Sequence, residues 1–333
     1  MRKTIDGLAQ TPFLRTVTRI CALIGFMTAA VCGDAMAADP THIKVASPSK
    51  EIIDNLALYV ALDRGFFKDE NLTVEIVHFT GGGEVVRAIT IGATEFGMIG
   101  TPAAIIAVGR GQPLKIISAW TAPAYGIVYV VPTNSPIKTV KDLAGKKVGM
   151  SRPGSVSQTG FVAAFEANGI QGQVEIVPVG GPGDSWAAIK AGRVQATWHT
   201  APDVYSLVDR KEARILFQIS DYLKDYQQGA LAALDSYLTS NGETTRRFLR
   251  ATAKAAAFIE QNPTETVEIG VKHMGSPRQS MRETLAAMPK GFFRIGAPEP
   301  KHYSGSLAEA KGTAAVKGEL PPYDKIVDVR FLP

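Results

Sequence analysis

Cysteine is almost missing from this 333-residue chain, and the two present, Cys21 and Cys32, both lie within the first 37 residues. The rest of the chain therefore has no disulfide framework, no thiolate zinc site and no cysteine nucleophile. Long apolar runs are also scarce. The run from Ile20 to Gly33 is 14 residues, short of the roughly 20 needed to cross a bilayer as a helix, and no later segment is long and apolar enough to do so. Charge of one sign is lacking: 36 Lys and Arg stand against 31 Asp and Glu, a formal +5, too mild an excess to argue for nucleic acid. The five histidines, at 42, 78, 199, 273 and 302, are scattered without metal-ligand spacing, so no metal is expected. Gly81 to Gly83 lacks the lysine and the Ser or Thr that would complete a phosphate-binding loop.

What is present begins with an export signal. Arg2, Lys3, Arg15 and Arg19 precede the apolar run, and Ala35-Met36-Ala37 follows it as a small-residue cleavage site. Residues 1–37 are thus expected to be removed, leaving a soluble protein with 32 basic and 29 acidic residues, at home in the periplasm. Acylation at Cys32 is the competing reading, opposed by the branched Val31 just before it.

From His42 onward, strands and helices alternate. Strands are expected at His42–Ala46, Thr73–His78, Glu95–Ile99 and Leu114–Ala119, with helices at Asn55–Arg64, Val85–Ile91 and Ala103–Val108. The alternation restarts at Lys147–Met150, with a helix over Val156–Ala167 and strands at Val174–Val177, Gln195–Trp198 and Ile215–Gln218. Helices at Ser185–Ala191 and Asp203–Val208 separate those strands. Such alternation implies mostly parallel sheets covered on both faces. Beyond about Thr244 the pattern is nearly all helical, as in Phe248, Thr252, Ala255 and Ile259, with later helices at Pro277–Ala287 and Leu307–Val316. The order predicts one lobe from 38–123 and 226–333, its C-terminal helices packed back on it, and a second lobe from 124–225. Tyr125–Val131 and Gly229–Ser236 are suited to be strands crossing between lobes as a hinge, or else ordinary sheet strands of one larger domain.

Several strand-to-helix junctions carry small and capping residues. Ser155 and Gln158 have capping-box spacing, Thr101-Pro102 reads as an N-cap followed by proline, and Gly81 to Gly83 permits close backbone approach. If these starts face one cleft, their free N–H groups form an anion site, where the ligands of open α/β sheets sit. A single junction is routine in any α/β protein; the set carries the reading. Arg152, after a second-lobe strand, offers a bidentate contact to a carboxylate or sulfonate, or else is a solvated loop arginine. Trp198 and Trp186 are either cleft walls able to stack on a planar ligand or core packing. His199 has no serine or cysteine nucleophile in a recognisable elbow beside it and reads as a wall residue.

An ordered set of local motifs runs over about residues 43 to 220: Asp63-Arg64-Gly65-Phe66-Phe67-Lys68-Asp69-Glu70-Asn71-Leu72, Gly81-Gly82-Gly83-Glu84, Glu95-Phe96-Gly97-Met98, Gly111-Gln112-Pro113-Leu114-Lys115, Ser135-Pro136-Ile137-Lys138 and Asp142-Leu143-Ala144-Gly145-Lys146-Lys147-Val148-Gly149. In this order it resembles the periplasmic binding proteins of ABC importers in the nitrate, sulfonate and taurine group. The resemblance implies the two-lobed type II periplasmic-binding-protein fold with two crossover hinge strands. It also implies a monomer without a cofactor or catalytic residues, which delivers a small anion to an inner-membrane permease. Pocket positions it implies are Ser47, Pro48, Gly82, Gly83, Thr101, Ser155 and Trp198. Two alternatives stay open: a thiamine-pyrimidine-synthase-like enzyme or pyrimidine binder, and a ligand-sensing module for a signalling partner. The export reading predicts that N-terminal sequencing of secreted protein starts at Ala38; a mature chain that still contains Cys32 overturns it.

Overall fold

The computed structural model describes residues 39–79, 81–153, 155–312 and 319–333. The expected signal, and the end of the helix expected over Leu307–Val316, lie outside the described residues. The described chain forms one compact unit from Pro40 to Pro333, built on two sheets.

The first sheet has the order β11-β4-β10-β3-β1-β2, with β1 Thr41–Ser47, β2 Leu72–His78, β3 Phe96–Gly100, β4 Leu114–Thr121, β10 Gly229–Leu234 and β11 Phe293–Gly296. The second has the order β7-β6-β8-β5-β9, with β5 Ile127–Pro132, β6 Lys147–Met150, β7 Glu175–Pro178, β8 Ala196–Thr200 and β9 Ala213–Gln218. The central strands read as continuous apolar runs because both faces are covered: β4 is buried at seven of its eight positions.

The helices that matter below are α1 Leu56–Asp63, α2 Gly82–Thr90, α3 Thr101–Gly109, α4 Val156–Asn168, α5 Pro182–Lys190, α6 Asp203–Asp209, α7 Gly242–Gln261, α8 Pro263–Met274, α9 Arg278–Ala287 and α10 Pro300–Gly312. Helix α1 is apolar nearly all round and buried between the first sheet and α7. Its end is set by Gly65, whose φ of 72° is left-handed and easy only for glycine.

Three expectations are corrected. Tyr125–Val131 and Gly229–Ser236 do not span the lobes as strands: β5 lies wholly in the second sheet between β8 and β9, and β10 lies in the first between β3 and β4. The chain crosses instead at the short segments 122–126 and 223–228. A crossing feeds the next strand into the middle of the opposite sheet in reversed direction, so β5 pairs antiparallel with β8 and β9, and β10 with β3 and β4. The sheets are therefore mixed rather than simply parallel. Second, the C-terminal third contains β11, too short and too polar at Arg294 to give a strand signal. Third, the C-terminal helices do not contact the first sheet's side alone. Helix α9 packs on α6, and Ser280 and Ser276 hydrogen-bond Ser206 and Asp203 at 2.9 Å.

Aromatic side chains fill the second core. Tyr129 of β5 stacks on Phe217 at 4.2 Å and meets Phe161 edge-on at 4.4 Å, and its hydroxyl donates to the Ser157 carbonyl at 3.0 Å. Gly160 of α4 sits directly against that hydroxyl, so a Cβ there would collide with it. Alanine in a helix interior normally gains about 1 kcal/mol over glycine, but overpacking a rigid core costs about 1–3 kcal/mol. Gly160→Ala should therefore lower stability in urea unfolding, whereas a rise in midpoint would show that Tyr129 yields easily.

Candidate functional site

The two sheets present the carboxyl ends of their strands to a common cleft of about 1,060 Å³. Helix starts from both sides line it. From the first sheet come Gly81 to Gly83 at the start of α2, and Gly100, Pro102 and Ala103 at the start of α3; from the second come Ser155 before α4 and Gly180 to Pro182 at the start of α5. The two halves repeat one device. Gly81 (φ 93°) and Gly180 (φ 90°) each follow a strand and precede a helix, and their N–H groups donate to the carbonyls of Pro48 and Ser151 at 2.8 and 3.3 Å. The starts of α2 and α5, where a helix has first-turn N–H groups without intrahelical partners and the positive end of its dipole, line the cleft.

Beneath the cleft floor lies a chamber of about 150 Å³. Pro48, Ile52, Gly100, Val156 and Trp198 line both spaces. The chamber walls are mostly apolar, and two of its polar side chains, Asp54 and Gln228, are engaged with each other. Asp54 is buried, with Thr121 Oγ1 donating to it at 2.7 Å and Gln228 Nε2 at 3.1 and 3.2 Å. Burial raises the Asp54 pKa, and those hydrogen bonds only partly offset it.

Of the residues expected from sequence, Pro48, Gly82, Gly83, Arg152, Ser155 and Trp198 line the cleft. Ser155 caps α4, its Oγ accepting the Gln158 N–H at 3.4 Å. The Arg152 guanidinium reaches across to the other side: a Cβ on Gly81 would meet its Nη2 at 2.5 Å. Two hydroxyls are engaged elsewhere and lie outside the lining of both spaces. Ser47 Oγ lies 2.6 Å from Asn55 Oδ1 and 2.8 Å from the Ser49 carbonyl, which share its one proton. Thr101 Oγ1 accepts from Gln227 Nε2 at 3.2 Å, and Gly100 rather than Thr101 occupies the N-cap position of α3. His199 also stays out of the lining. Its Nδ1 accepts the Thr200 N–H at 2.9 Å, and burial holds its pKa below the usual imidazole value.

Sequence reading missed the acids and amides of the cleft: Asp54, Gln228 and Glu309. Glu309, on α10, lines the cleft and accepts from Thr159 of α4 and from Tyr226 beside the second crossing. No local pattern marks it, because its partners are far away in sequence. Cleft cations Lys50, Arg87, Arg110 and Arg152 face carboxylates Glu51, Asp184 and Glu309, so the cleft is not strongly one-signed. Among the described residues, no group of three or more His, Cys, Asp or Glu side chains is gathered for a metal.

This architecture is the two-lobed fold of periplasmic binding proteins. The periplasmic aliphatic sulphonate-binding protein SsuA of Escherichia coli superposes with a TM-score of 0.71 at 21% identity, covering 82% of this chain and 86% of that one. The periplasmic nitrate-binding protein NrtA of Synechocystis superposes at 0.66 with 16% identity, over 84% and 83%. Residues 53–266 match the family described as NMT1/THI5 like, and the chain belongs to it. Relatives include the formylaminopyrimidine-binding protein of Halalkalibacterium halodurans, 25% identical over 259 residues that cover 75% of this chain and 77% of that protein. The taurine-binding periplasmic protein of Escherichia coli is 26% identical over 232 residues, 69% of each.

Burial raises the Glu309 pKa above its ordinary 4.5, with the Thr159 and Tyr226 hydroxyls partly offsetting the rise. The folded protein therefore holds this proton more tightly than the unfolded chain. The corresponding stability is complete below pH 4.5 and is lost as pH climbs through the raised folded value. Glu309→Gln should flatten the fall of stability between pH 4.5 and that raised value in urea titrations; an unchanged slope would place Glu309 in contact with solvent.

Proposed function

We propose that this protein is an extracytoplasmic solute receptor that binds a small anion in the cleft and delivers it to the permease of an ABC importer. The convergence of helix starts from both halves on one cleft carries this reading. Backbone N–H groups and helix dipoles at four junctions favour an anionic group without requiring a buried lysine, and Arg152 adds one guanidinium. Relatives named for taurine and for aliphatic sulfonates support a sulfonate. The N-terminal signal supports a periplasmic location, and cleft chemistry without a paired nucleophile and base supports binding rather than catalysis. The crossings at 122–126 and 223–228 are the hinge about which the lobes close, with lobe boundaries at 123/124 and 225/226. One observation favours a second ligand class: the relative with the longest of the quoted alignments is named for formylaminopyrimidine.

A ligand that binds only the folded state raises its unfolding midpoint. A thermal-shift panel of sulfonates, carboxylates, nitrate and formylaminopyrimidine should thus yield at least one binder. Small-angle scattering at saturation should then show compaction, since closure adds contacts from the second lobe. Ser155→Ala should weaken that binder about fivefold, the effect of one neutral hydrogen bond of ~1 kcal/mol. Normal affinity in both Ser155→Ala and Arg152→Ala would remove the α4 start from the site, and no binder at all would overturn the receptor reading.

A further inference from the structure

The chain contains three tryptophans, and their indole N–H groups differ in one respect. Trp120 Nε1 donates to the Asp54 carbonyl at 2.8 Å, and Trp186 Nε1 donates to Glu212 Oε2 at 3.3 Å. Trp198 Nε1 is fully covered and has no partner among the described residues. The side chain is only 9% exposed. Six covered side-chain atoms share this condition among the described residues, and Trp198 is the one of them that lines the cleft and its chamber. Its backbone is held in place: β8 pairs with β5 and β6, and the Trp198 carbonyl accepts from Ser185 Oγ at 2.8 Å. A covered donor left unpaired is costly, and native structures keep few without a purpose.

The chamber beside it has a matching character. Ile52, Ile53, Met98, Ile127 and Val156 supply apolar wall, while Asp54 and Gln228 bond each other. Its volume of about 150 Å³ is that of an apolar cavity able to hold a benzene ring. A bare inorganic anion would leave those walls unfilled.

We infer that Trp198 is the donor that orients the ligand: a small turn of the indole uncovers its N–H and gives it to an oxygen of an organic solute whose ring fills the floor chamber. This rests on the solute-receptor reading and narrows it, from small anions in general to organic oxyanions or carbonyl compounds with an apolar end. The role is distinct from stacking, since it uses the edge nitrogen rather than the ring face.

The test uses protein labelled with 15N in its tryptophans, which gives three indole resonances assigned with Trp186→Phe and Trp198→Phe. The probes are nitrate, methanesulfonate, benzenesulfonate, benzoate and formylaminopyrimidine. The expected result is that a ring-bearing probe binds more tightly than nitrate and methanesulfonate and moves the Trp198 resonance while that of Trp186 stays in place. Trp198→Phe keeps an aromatic ring but loses the donor; it should weaken binding of a charged probe about ten- to a hundredfold while the ligand-free protein still unfolds cooperatively, at a somewhat lower midpoint for the lost packing. A probe that shifts the Gly82 and Ser155 amides but leaves the Trp198 indole unmoved, with affinity intact in Trp198→Phe, overturns the inference and spares the receptor reading. An indole shift without loss of affinity in that variant assigns the N–H to a bound water and equally overturns it, as does tighter binding of nitrate or methanesulfonate than of every ring-bearing probe. Failure of all five probes to bind overturns the receptor reading and the inference together.

Discussion

One buried carboxyl ties the cleft to both chain crossings. Asp54 accepts from Thr121, the last residue before the first crossing, and from Gln228, the last residue of the second. Gln228 Oε1 in turn accepts the Tyr125 N–H at 2.9 Å. Trp120 Nε1 adds a bond to the Asp54 carbonyl. The two strands of chain that join the lobes are therefore cross-linked through one side chain at the base of the cleft. A buried acid in such a place is expensive unless its hydrogen-bonding capacity is used, and here each of its oxygens is engaged. The geometry of everything above it, including the distance between helix starts of opposite lobes, follows from how this network holds the crossings.

Much of the architecture was legible in the sequence because it is written in local periodicity. The expected strand at Lys147–Met150 matches the observed bounds, and the strand and helix expectations at Thr73–His78 and Asp203–Val208 miss by one residue at one end. Apolar runs bounded by glycine are strong signals when both faces of a strand are buried. Direction is not written locally. Tyr125–Val131 and Gly229–Ser236 announce themselves as strands, but nothing in their composition distinguishes a strand that crosses between lobes from one reversed inside a sheet.

The site divides along the same line. Gly82, Gly83, Ser155 and Trp198 were visible because junction chemistry is a matter of adjacent residues. Ser47 and Thr101 carried the same signal, yet their hydroxyls hold neighbouring segments together instead. A hydroxyl at a strand end serves either purpose, and only the third dimension decides which. Glu309 is the reverse case: an ordinary glutamate in a helical stretch, which becomes part of the cleft because α10 lies against α3 and reaches Thr159 on the other side.

The placement of β10 bears on how the chain is assembled in time. It lies between β3 and β4, pairing residues 229–234 with 96–100 on one side and 114–121 on the other. The first sheet thus stays split until the entire second lobe has been synthesised and the chain has returned. Contacts so distant in sequence form slowly, because loop closure must precede their reward. An N-terminal half that lacks its middle strand has no complete sheet to settle into until the chain returns. The same reversed strand that completes the first sheet also delays it.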